Sequence, residues 1–385
     1  MSAFARETYA DRVAAARALM IDRDLAALLV FAQETHYYLF GYDGGGYVFF
    51  QCAVLTADDT PVTLLCRRPD VAQARDTAGI EDVRVWLNAE DANPAEDLRA
   101  ILEEKGLAGA RVGIELDNYG LTGANHALVD RALDGFCALV DASGLVRSLR
   151  IVKSEAEIAY VRAAARLADK AVEAVCAQAR PGIRDSLLAA AALNAMLAGG
   201  GDVPPAGPLV NSGGRALYGR GVGGARELEP TDQIMIELAA SYRRYTCCIE
   251  RFIAMGEPSN AQRRMHALVQ ATLEAMLEAF VPGEPLGVVD TIHRRMLDEA
   301  GYAQQRYAAC GYSLGATYRP SWMDVPPMIY AGNRLEMRPG MVFFPHVMLG
   351  DRQSGLAMGL GNTVLVTEHG AESLTRLPLD LMVRR

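Results

Sequence analysis

The stretch IMIELAASYRRYTCCIERF, from Ile234 to Phe252, sets two apolar segments on either side of a short polar turn and therefore predicts a β-hairpin. Its residues that can do chemistry are Glu237, Cys248 and Glu250. A carboxylate whose pKa is raised by burial can serve as a general base, and carboxylates and thiolates can ligate a metal. Because the turn resets the alternation of the strands, the sequence alone does not place both carboxylates on one face.

The neighbours of the two carboxylates differ. Glu237 lies among apolar residues, which predicts that it is buried. Since a buried carboxylate needs a partner, we expect a functional role for Glu237. Glu250 is followed by Arg251, and an exposed strand pair is the competing interpretation of these two residues.

A glycine-rich loop, NSGGRALYGRG, carries candidate binding residues. Arg215 and Arg220 flank Tyr218 in this loop. Guanidinium groups are suited to clamp a substrate carboxylate, because they donate two parallel hydrogen bonds. A solvated basic loop is the alternative interpretation.

A second candidate binding segment is ATYRPSWMD. It contains Tyr318, Trp322 and Asp324. An aromatic wall next to an acid suits a small cationic or zwitterionic ligand. The alternative is an ordinary packed loop.

Length and composition predict two domains and exclude several classes of partner. The chain has 385 residues, of which 51% are hydrophobic, so two domains with large cores are expected. A net charge of -9 argues against nucleic acid and against an anionic membrane as partner. No apolar run reaches the ~18 residues of a membrane span, the N-terminus has the pattern of an amphipathic helix, and the seven cysteines form no CxxC pair. We therefore expect a cytoplasmic protein with reduced thiols.

The sequence pattern changes near residue 150. Before it, helical and strand patterns alternate, which predicts an α/β domain over residues 1–149. Ser154 followed by Glu157 has the spacing of a capping box and opens a long amphipathic helix. Helix pairs then alternate with antiparallel strand pairs, which predicts an α+β domain over residues 150–385 with two helical layers over one curved sheet.

Several stretches of the second domain resemble one superfamily. They are RIVKSEAEIAYVRAAARLAD, NSGGRALYGRG, TDQIMIELAASYRRYTCCIERF, CGYSLGATYRP, RPGMVFFPHVML and NTVLVTEHGAE. Together they resemble the catalytic domain of the superfamily that holds creatinase, prolidase, aminopeptidase P and methionine aminopeptidase. The resemblance implies an α+β catalytic domain with the pita-bread fold and a smaller N-terminal α/β domain of the creatinase/prolidase type.

The resemblance also implies a metal site, but this chain lacks its usual ligands. The peptidases use two aspartates, a histidine and two glutamates, and these fall here at Glu237, Cys248, Tyr312, His346 and Gly361 or its neighbour Asn362. Two divalent cations need several bridging carboxylates, so we do not expect a dinuclear site. A single zinc or iron held by Glu237, Cys248 and His346 is the alternative. The simpler interpretation of Cys248 is a packed strand residue.

Three stretches point to the metal-free branch of the superfamily. YTCCIERF, GYSLGATYRPSWMD and FFPHVML resemble creatinase and the ectoine hydrolases, which implies catalysis without a cofactor. In this interpretation Glu237 and Glu250 are the acid–base residues, and His346 and Tyr312 orient or protonate the substrate. The catalytic histidine positions of creatinase fall at Arg220 and Tyr312, so this chain does not copy the proton relay of creatinase.

The N-terminal domain contributes the stretch THYYLFGYDGGGY, which contains Tyr42. The resemblance implies that this stretch is a turn that closes the active site, often from a second subunit. Tyr42 is therefore expected to contact the substrate, and the protein is expected to be a homodimer.

The sequence supports three hypotheses. The first is a metal-independent hydrolase of a C–N bond in a small polar nitrogen compound similar to ectoine or creatine. The second is a single-metal enzyme of the same superfamily, either an Xaa-Pro peptidase or a lyase of the dimethylsulfoniopropionate type. The third is a non-catalytic pita-bread module that binds a partner.

Overall fold

The computed structural model describes residues 3–221, 224–307 and 309–385. The chain divides into two units, Met1–Arg150 and Ile151–Arg385. Each unit has its own sheet and its own apolar core. Within the described residues, no helix is both long enough and apolar enough to cross a membrane.

The first unit is an α/β domain. Its strands are β1 (Ala27–Val30), β2 (Cys52–Thr56), β3 (Thr63–Arg67), β4 (Asp82–Trp86), β5 (Arg111–Ile114) and β6 (Ala138–Asp141). Its helices are α1 (Arg6–Asp22), α2 (Gln33–Phe40), the single turn α3 (Val71–Gln73), α4 (Pro94–Glu104), α5 (Gly123–Leu133) and α6 (Gly144–Arg150). The mixed sheet has the order β4-β3-β2-β1-β5-β6.

Both faces of this sheet are covered by helices. Successive residues of β1 point to opposite faces, so Leu28 packs in the core formed with α1, α2 and α6, and Leu29 in the core formed with α4 and α5. This explains why β1 is a continuous apolar run in which all four residues are buried.

The stretch expected to be a turn around Tyr42 starts with a helix instead. Residues 33–40 form α2, which ends at Gly41 in the left-handed conformation, with φ 71°. Tyr42 follows, fully buried in the core of this unit, and its hydroxyl donates to Oε1 of Gln51. A buried ring offers no surface to a ligand, so the structure does not support the substrate contact expected of Tyr42.

The second unit is an α+β domain built on a nine-stranded sheet. Its strands are β7 (Leu209–Ser212), β8 (Gln233–Tyr242), β9 (Tyr245–Met255), β10 (Gly311–Ser313), β11 (Val342–Asp351), β12 (Leu356–Asn362), β13 (Val364–Thr367), β14 (Gly370–Ser373) and β15 (Met382–Arg384). Its helices are α7 (Glu155–Gln178), α8 (Asp185–Ala198), α9 (Asn260–Glu278) and α10 (Gly287–Glu299). The main path of the sheet is β14-β13-β11-β12-β9-β8-β7.

Two helix pairs pack on this sheet. α7 packs on β8 and β9 and on α8, and α9 packs on β11 and β12 and on α10. The capping box predicted at the start of α7 is confirmed, because Ser154 and Glu157 exchange hydrogen bonds between side chain and backbone. The predicted α+β architecture of paired helices over one sheet is therefore confirmed.

Arg251 joins β9 to the C-terminal segment. The exposed strand pair considered for Glu250 and Arg251 is wrong, because both side chains are buried. The guanidinium donates to the backbone carbonyls of Glu250, Gly361, Leu377 and Pro378 and to Oδ1 of Asn362. The hydrogen bonds to the carbonyls of Glu250 and Gly361 and to Oδ1 of Asn362 are buried, so the guanidinium satisfies acceptors that are shielded from water.

We predict that Arg251→Met lowers the free energy of unfolding by about 3 kcal/mol or more, because three buried acceptors lose their donor. Chemical denaturation of the purified variant measures this. Arg263→Met is the control, since Arg263 forms an exposed ion pair with Glu257, and such pairs contribute less than about 1 kcal/mol. Equal effects of the two substitutions would contradict the role given to Arg251.

Candidate active site

The β8–β9 hairpin sets its two carboxylates directly opposite one another. Its turn residues Arg243 and Arg244 both have positive φ, 52° and 67°, as the central residues of a type I′ turn do. The register that follows from this two-residue turn pairs Glu237 with Glu250. Directly opposed residues share one face of a sheet, with Cβ atoms about 5 Å apart. The two carboxylates are therefore neighbours.

Two more strands extend this row across the sheet. Gly361 of β12 lies opposite Glu250, and His346 of β11 lies opposite Gly361. We call Glu237, Glu250, Gly361 and His346 the rung. Because paired residues share a face, the rung brings two carboxylates and an imidazole to one side of the sheet, with a glycine between them.

Aromatic side chains hold the two ends of the rung. The hydroxyl of Tyr312 donates to Oε1 of Glu237 at 3.3 Å, and Nε1 of Trp322 donates to the hydroxyl of Tyr312 at 2.7 Å. The ring of Phe344 stacks on His346, with centroids 5.3 Å apart and an interplanar angle of 13°. These contacts fix the orientation of Glu237 and of the imidazole.

A pocket of about 440 Å³ opens over the rung. Its charged or titratable lining side chains are Arg220, Glu237, Tyr307, Tyr312 and His346. The rest of the wall is mostly apolar and contains Leu209, Pro320, Trp322, Met323, Met328 and Met348. A pocket of this size and lining suits a small molecule with few polar groups rather than a long peptide.

Glu237 is set up to exchange a proton near neutral pH. Burial raises the pKa of Glu237 to about 7, and the negative charge of Glu250 adds to the increase. The charges of His346 and Arg220 and the hydrogen bond from Tyr312 act in the opposite direction. A carboxyl group with this pKa can accept or donate a proton at the pH of a cell.

His346 and Glu250 interact at the other end of the rung. Nδ1 of His346 lies 3.6 Å from Oε2 of Glu250, slightly beyond hydrogen-bond length. Burial alone lowers the pKa of His346, but the carboxylate of Glu250, with a smaller effect from Glu237, outweighs burial and raises the pKa overall. His346 lines the pocket, whereas Glu250 lies beneath it and is 1% exposed.

Cys248 lies on the same face of β9 as Glu250, since the two residues are two apart on one strand. It is fully buried, and burial raises the pKa of its thiol well above the usual range. Cys248, Glu237 and His346 do not form a group whose donor atoms all lie within 4.8 Å of one another. Among the described residues, the one group of three potential ligands whose donor atoms all lie within 4.8 Å of each other is Asp290, His293 and Cys310.

The glycine-rich loop contributes one of its three predicted residues to the pocket. Arg220 lines the pocket and lowers the pKa of Glu237 through its charge. Arg215 instead pairs with the buried carboxylate of Asp185, and Tyr218 is 51% exposed. Neither Arg215 nor Tyr218 lines the pocket, so the structure does not place them where a bound substrate would be.

The predicted residues of the aromatic segment also differ in position: one lines the pocket and two do not. Trp322 lines the pocket next to Tyr312. Tyr318 is buried with the guanidinium of Arg244 5.3 Å from its ring centre. Asp324 is buried, and its Oδ2 is 2.3 Å from the place where a Cβ on Gly315 would lie. Tyr318 and Asp324 are thus packed residues, as the alternative interpretation of this segment predicted.

Sequence reasoning missed several residues that shape the pocket. Among them are Phe344, which orients His346, and Tyr307 and Met348, which line the wall. Phe344 lies two residues before His346, so alternation along the strand would have placed both on one face. Tyr307 precedes β10 without a periodic pattern, and no sequence signal marks it.

Comparison with known proteins agrees with this architecture. Residues 159–368 match the sequence model of "Metallopeptidase family M24", and residues 12–152 match the "Creatinase/Prolidase N-terminal domain". The chain belongs to metallopeptidase family M24. The superfamily and the pita-bread fold class predicted from the sequence are therefore confirmed.

Relatives of this M24 member carry different names. An ectoine hydrolase from Halomonas elongata is 26% identical over 397 residues, which cover 99% of this chain and 98% of the relative. An Xaa-Pro dipeptidase from Pyrococcus furiosus is 29% identical over 238 residues, covering 62% of this chain and 67% of the relative. The crystal structure of dipeptidase PepE from Mycobacterium ulcerans superposes with a TM-score of 0.85 at 26% identity, over 99% of both chains. The chain is a hydrolase of a family that acts on C–N bonds.

The structure shows the surroundings of two positions at which the resemblance places metal ligands. At Gly361, one of the two residues expected at the last glutamate, an added Cβ would lie 2.5 Å from the ring of Phe344 and 2.9 Å from Cβ of His346. The aromatic ring therefore occupies the space that a side chain on Gly361 would need. Tyr312, expected at the histidine position, uses its hydroxyl in hydrogen bonds with Glu237 and Trp322.

We predict that Glu237→Gln stabilises the protein at alkaline pH. The folded state raises the pKa of Glu237 from 4.5 to about 7, so the wild type loses stability as the pH rises through this interval. Glutamine keeps the shape and cannot ionise. Above pH ~7 the variant should therefore be more stable than the wild type by about 1–3 kcal/mol, and the difference should shrink towards pH ~5.

Denaturant unfolding of both proteins at the two pH values measures this difference. Glu257→Gln, at an exposed ion pair, is the control and should show no such pH dependence. A Glu237→Gln effect of equal size at both pH values would contradict a raised pKa.

Proposed function

We propose that this M24 member is a metal-independent hydrolase that cleaves a C–N bond in a small, carboxylate-bearing nitrogen compound of the size of ectoine or creatine. The observation that carries the proposal is the rung, in which Glu237 and His346 face one pocket while Glu250 lies beneath it. The full-length similarity to an ectoine hydrolase supports the same class of substrate.

The reaction needs a base and an acid, and the site offers one of each. Ionised Glu237 takes a proton from water, whose oxygen attacks the carbon of the C–N bond. Protonated His346 gives its proton to the leaving nitrogen, so that bond cleavage releases a neutral amine. The products are a carbonyl compound and the amine. The hydroxyl of Tyr312 donates to Glu237 and orients the base.

The position of Arg220 supports the proposal that the substrate carries a carboxylate. It is the guanidinium that lines the pocket within the described residues. A guanidinium binds a carboxylate through charge-assisted hydrogen bonds. The wall of Trp322, Met323 and Met348 would contact the apolar part of such a substrate.

The residues at the ligand positions do not fit a pair of metal ions. Glu237 is the one carboxylate among the five positions, and two hard cations need several carboxylates to offset their repulsion. Gly361 has no side chain to bind a metal, and the ring of Phe344 fills the space over it. We therefore derive no step through a metal.

A single-metal Xaa-Pro peptidase is the second candidate. The family name and the dipeptidase relatives favour it, and Glu237, Cys248 and His346 are the residues that would hold the ion. Such a metal would have to draw together donors that are apart in the structure described here.

Elemental analysis combined with turnover separates the two candidates. The protein, purified without chelator, is analysed for zinc, iron and manganese and then assayed with ectoine, creatine and Xaa-Pro dipeptides before and after chelation. We expect turnover of a small nitrogen compound that chelation leaves unchanged. A stoichiometric ion that is lost in Cys248→Ala and retained in His293→Gln, together with chelator-sensitive dipeptide cleavage, would overturn the proposal.

The pH profile tests the roles of the base and the acid. We predict that kcat/KM rises with pH through about 7, as Glu237 loses its proton, and falls again above the raised pKa of His346. The measurement is kcat/KM across the pH range in buffers of constant ionic strength. In His346→Gln the alkaline limb should disappear, and an unchanged bell shape would remove His346 from the mechanism.

Arg220→Ala tests the substrate class. We predict that KM rises at least about tenfold and that kcat changes little, because a charge-assisted hydrogen bond to the substrate is lost. Steady-state kinetics measure this with the substrate and with its carboxamide analogue. The analogue is the control, since it should bind both proteins equally, and an equal loss for both compounds would contradict the carboxylate contact.

The expected homodimer and the cytoplasmic location belong to the same proposal. Light scattering coupled to size exclusion tests the first, and twice the chain mass of 41.5 kDa is expected. A mass of one chain would remove the dimer from the proposal.

A further inference from the structure

Glu250 and His346 are separated by a complete strand. β12 runs between β9 and β11, and its residue Gly361 pairs with both. Neighbouring strands are about 4.8 Å apart, so the two backbones are about 9.6 Å apart. Even so, Nδ1 of His346 lies 3.6 Å from Oε2 of Glu250. The side chains therefore reach towards each other over the middle strand.

Two glycines of β12 provide the space. A Cβ on Gly361 would lie 2.5 Å from the ring of Phe344 and 2.9 Å from Cβ of His346, and a Cβ on Gly359 would lie 2.1 Å from Oε1 of Glu250. Neither glycine has a positive φ, so the backbone conformation does not demand glycine at either position. The requirement comes from the side chains of Phe344, His346 and Glu250, which occupy the space above the strand.

The two groups complement each other chemically. Among the described residues, neither oxygen of Glu250 nor Nδ1 of His346 has a hydrogen-bond partner, and these atoms are buried. A buried carboxylate without a partner is strongly unfavourable. The guanidinium of the adjacent Arg251 donates to the backbone carbonyl of Glu250. The imidazole is thus the side-chain donor within reach of the carboxylate.

The placement of the pair gives each member a different role. His346 lines the pocket and Glu250 does not. Phe344 holds the plane of the imidazole by stacking on it. With Nδ1 directed at Glu250, Nε2 is the ring nitrogen left for the pocket.

We propose that Glu250 is a positioning residue that acts through His346: its carboxylate accepts Nδ1–H across Gly361 and so fixes the tautomer and the direction of the imidazole that serves the substrate. This inference rests on the proposed function and changes one part of the sequence prediction, in which Glu250 was itself an acid–base residue. The buried aspartate of serine proteases likewise fixes the tautomer and the direction of the catalytic histidine.

The first test monitors the interaction of Glu250 with His346 by NMR in the absence of substrate. The protein is labelled with ¹⁵N-histidine, and the signal of His346 among the six histidines is assigned with His346→Gln. At a pH above the raised pKa of His346, where the ring is neutral, we expect its proton on Nδ1 in the wild type and a loss of this preference in Glu250→Gln, because an amide can donate to the ring instead of accepting from it. Identical His346 signals in both proteins would overturn the proposal.

The second test measures kcat and KM. Glu250→Gln should lower kcat about 10²–10⁴-fold, as loss of an orienting carboxylate does elsewhere, with little change in KM. Cys247→Ala, on the opposite face of the same strand, is the control and should keep its activity. Gly359→Ala should reproduce the kinetic and spectroscopic effects of Glu250→Gln, because its methyl group would take the place of Oε1 of Glu250 and displace the carboxylate with both charges present. This variant also tests the positioning role of Glu250 if Glu250→Gln fails to fold.

The outcomes separate this inference from the proposed function. A changed His346 signal with unchanged turnover would overturn the positioning role and leave the hydrolase intact. An unchanged kcat in Gly359→Ala would likewise overturn it. Lack of turnover in the wild type would count against the proposed function, and the histidine spectra would still decide whether the pair exists.

Discussion

Two carboxylates opposite each other on a buried face cannot both be ionised without opposing charge, and this constraint shapes the second unit. The register of one hairpin pairs Glu237 with Glu250. Burial and the neighbouring negative charge keep a proton on Glu237 up to about neutral pH. His346 supplies the compensating charge from a strand further along the sheet. Tyr312, Trp322 and Phe344 then fix the geometry of the three groups.

In the proposed function, the M24 domain works without a metal ion. The family domain supplies the strands and their order, and the proposed chemistry depends on individual side chains that these strands carry. The glycines Gly359 and Gly361 leave room above β12 for the side chains of Glu250 and His346 to approach each other. In the proposed reaction, proton transfer between side chains takes the place of water activation by an ion.

The sequence predicted the elements of the second unit better than its site. Apolar periodicity, the capping box at Ser154 and the apolar–polar–apolar pattern of the hairpin were sufficient, because each depends on local sequence. The pairing of Glu237 with Glu250 depends on a two-residue turn of arginines, which are not typical turn residues. The role of Gly361 depends on the registers of three strands at once. Arg215 and Arg220 look equivalent in sequence, but in the structure Arg215 pairs with Asp185 whereas Arg220 lines the pocket.

The most direct test of the account is the protonation of Glu237 itself. Carbon-detected NMR of protein labelled with ¹³C at the glutamate carboxyl carbons follows this group as the pH is changed, with Glu237→Gln for assignment. The account predicts a midpoint near pH 7 for Glu237, which moves towards the usual glutamate value in Glu250→Gln. A midpoint at about 4.3, the value of an ordinary glutamate, or one that the removal of Glu250 leaves unchanged, would contradict the central claim.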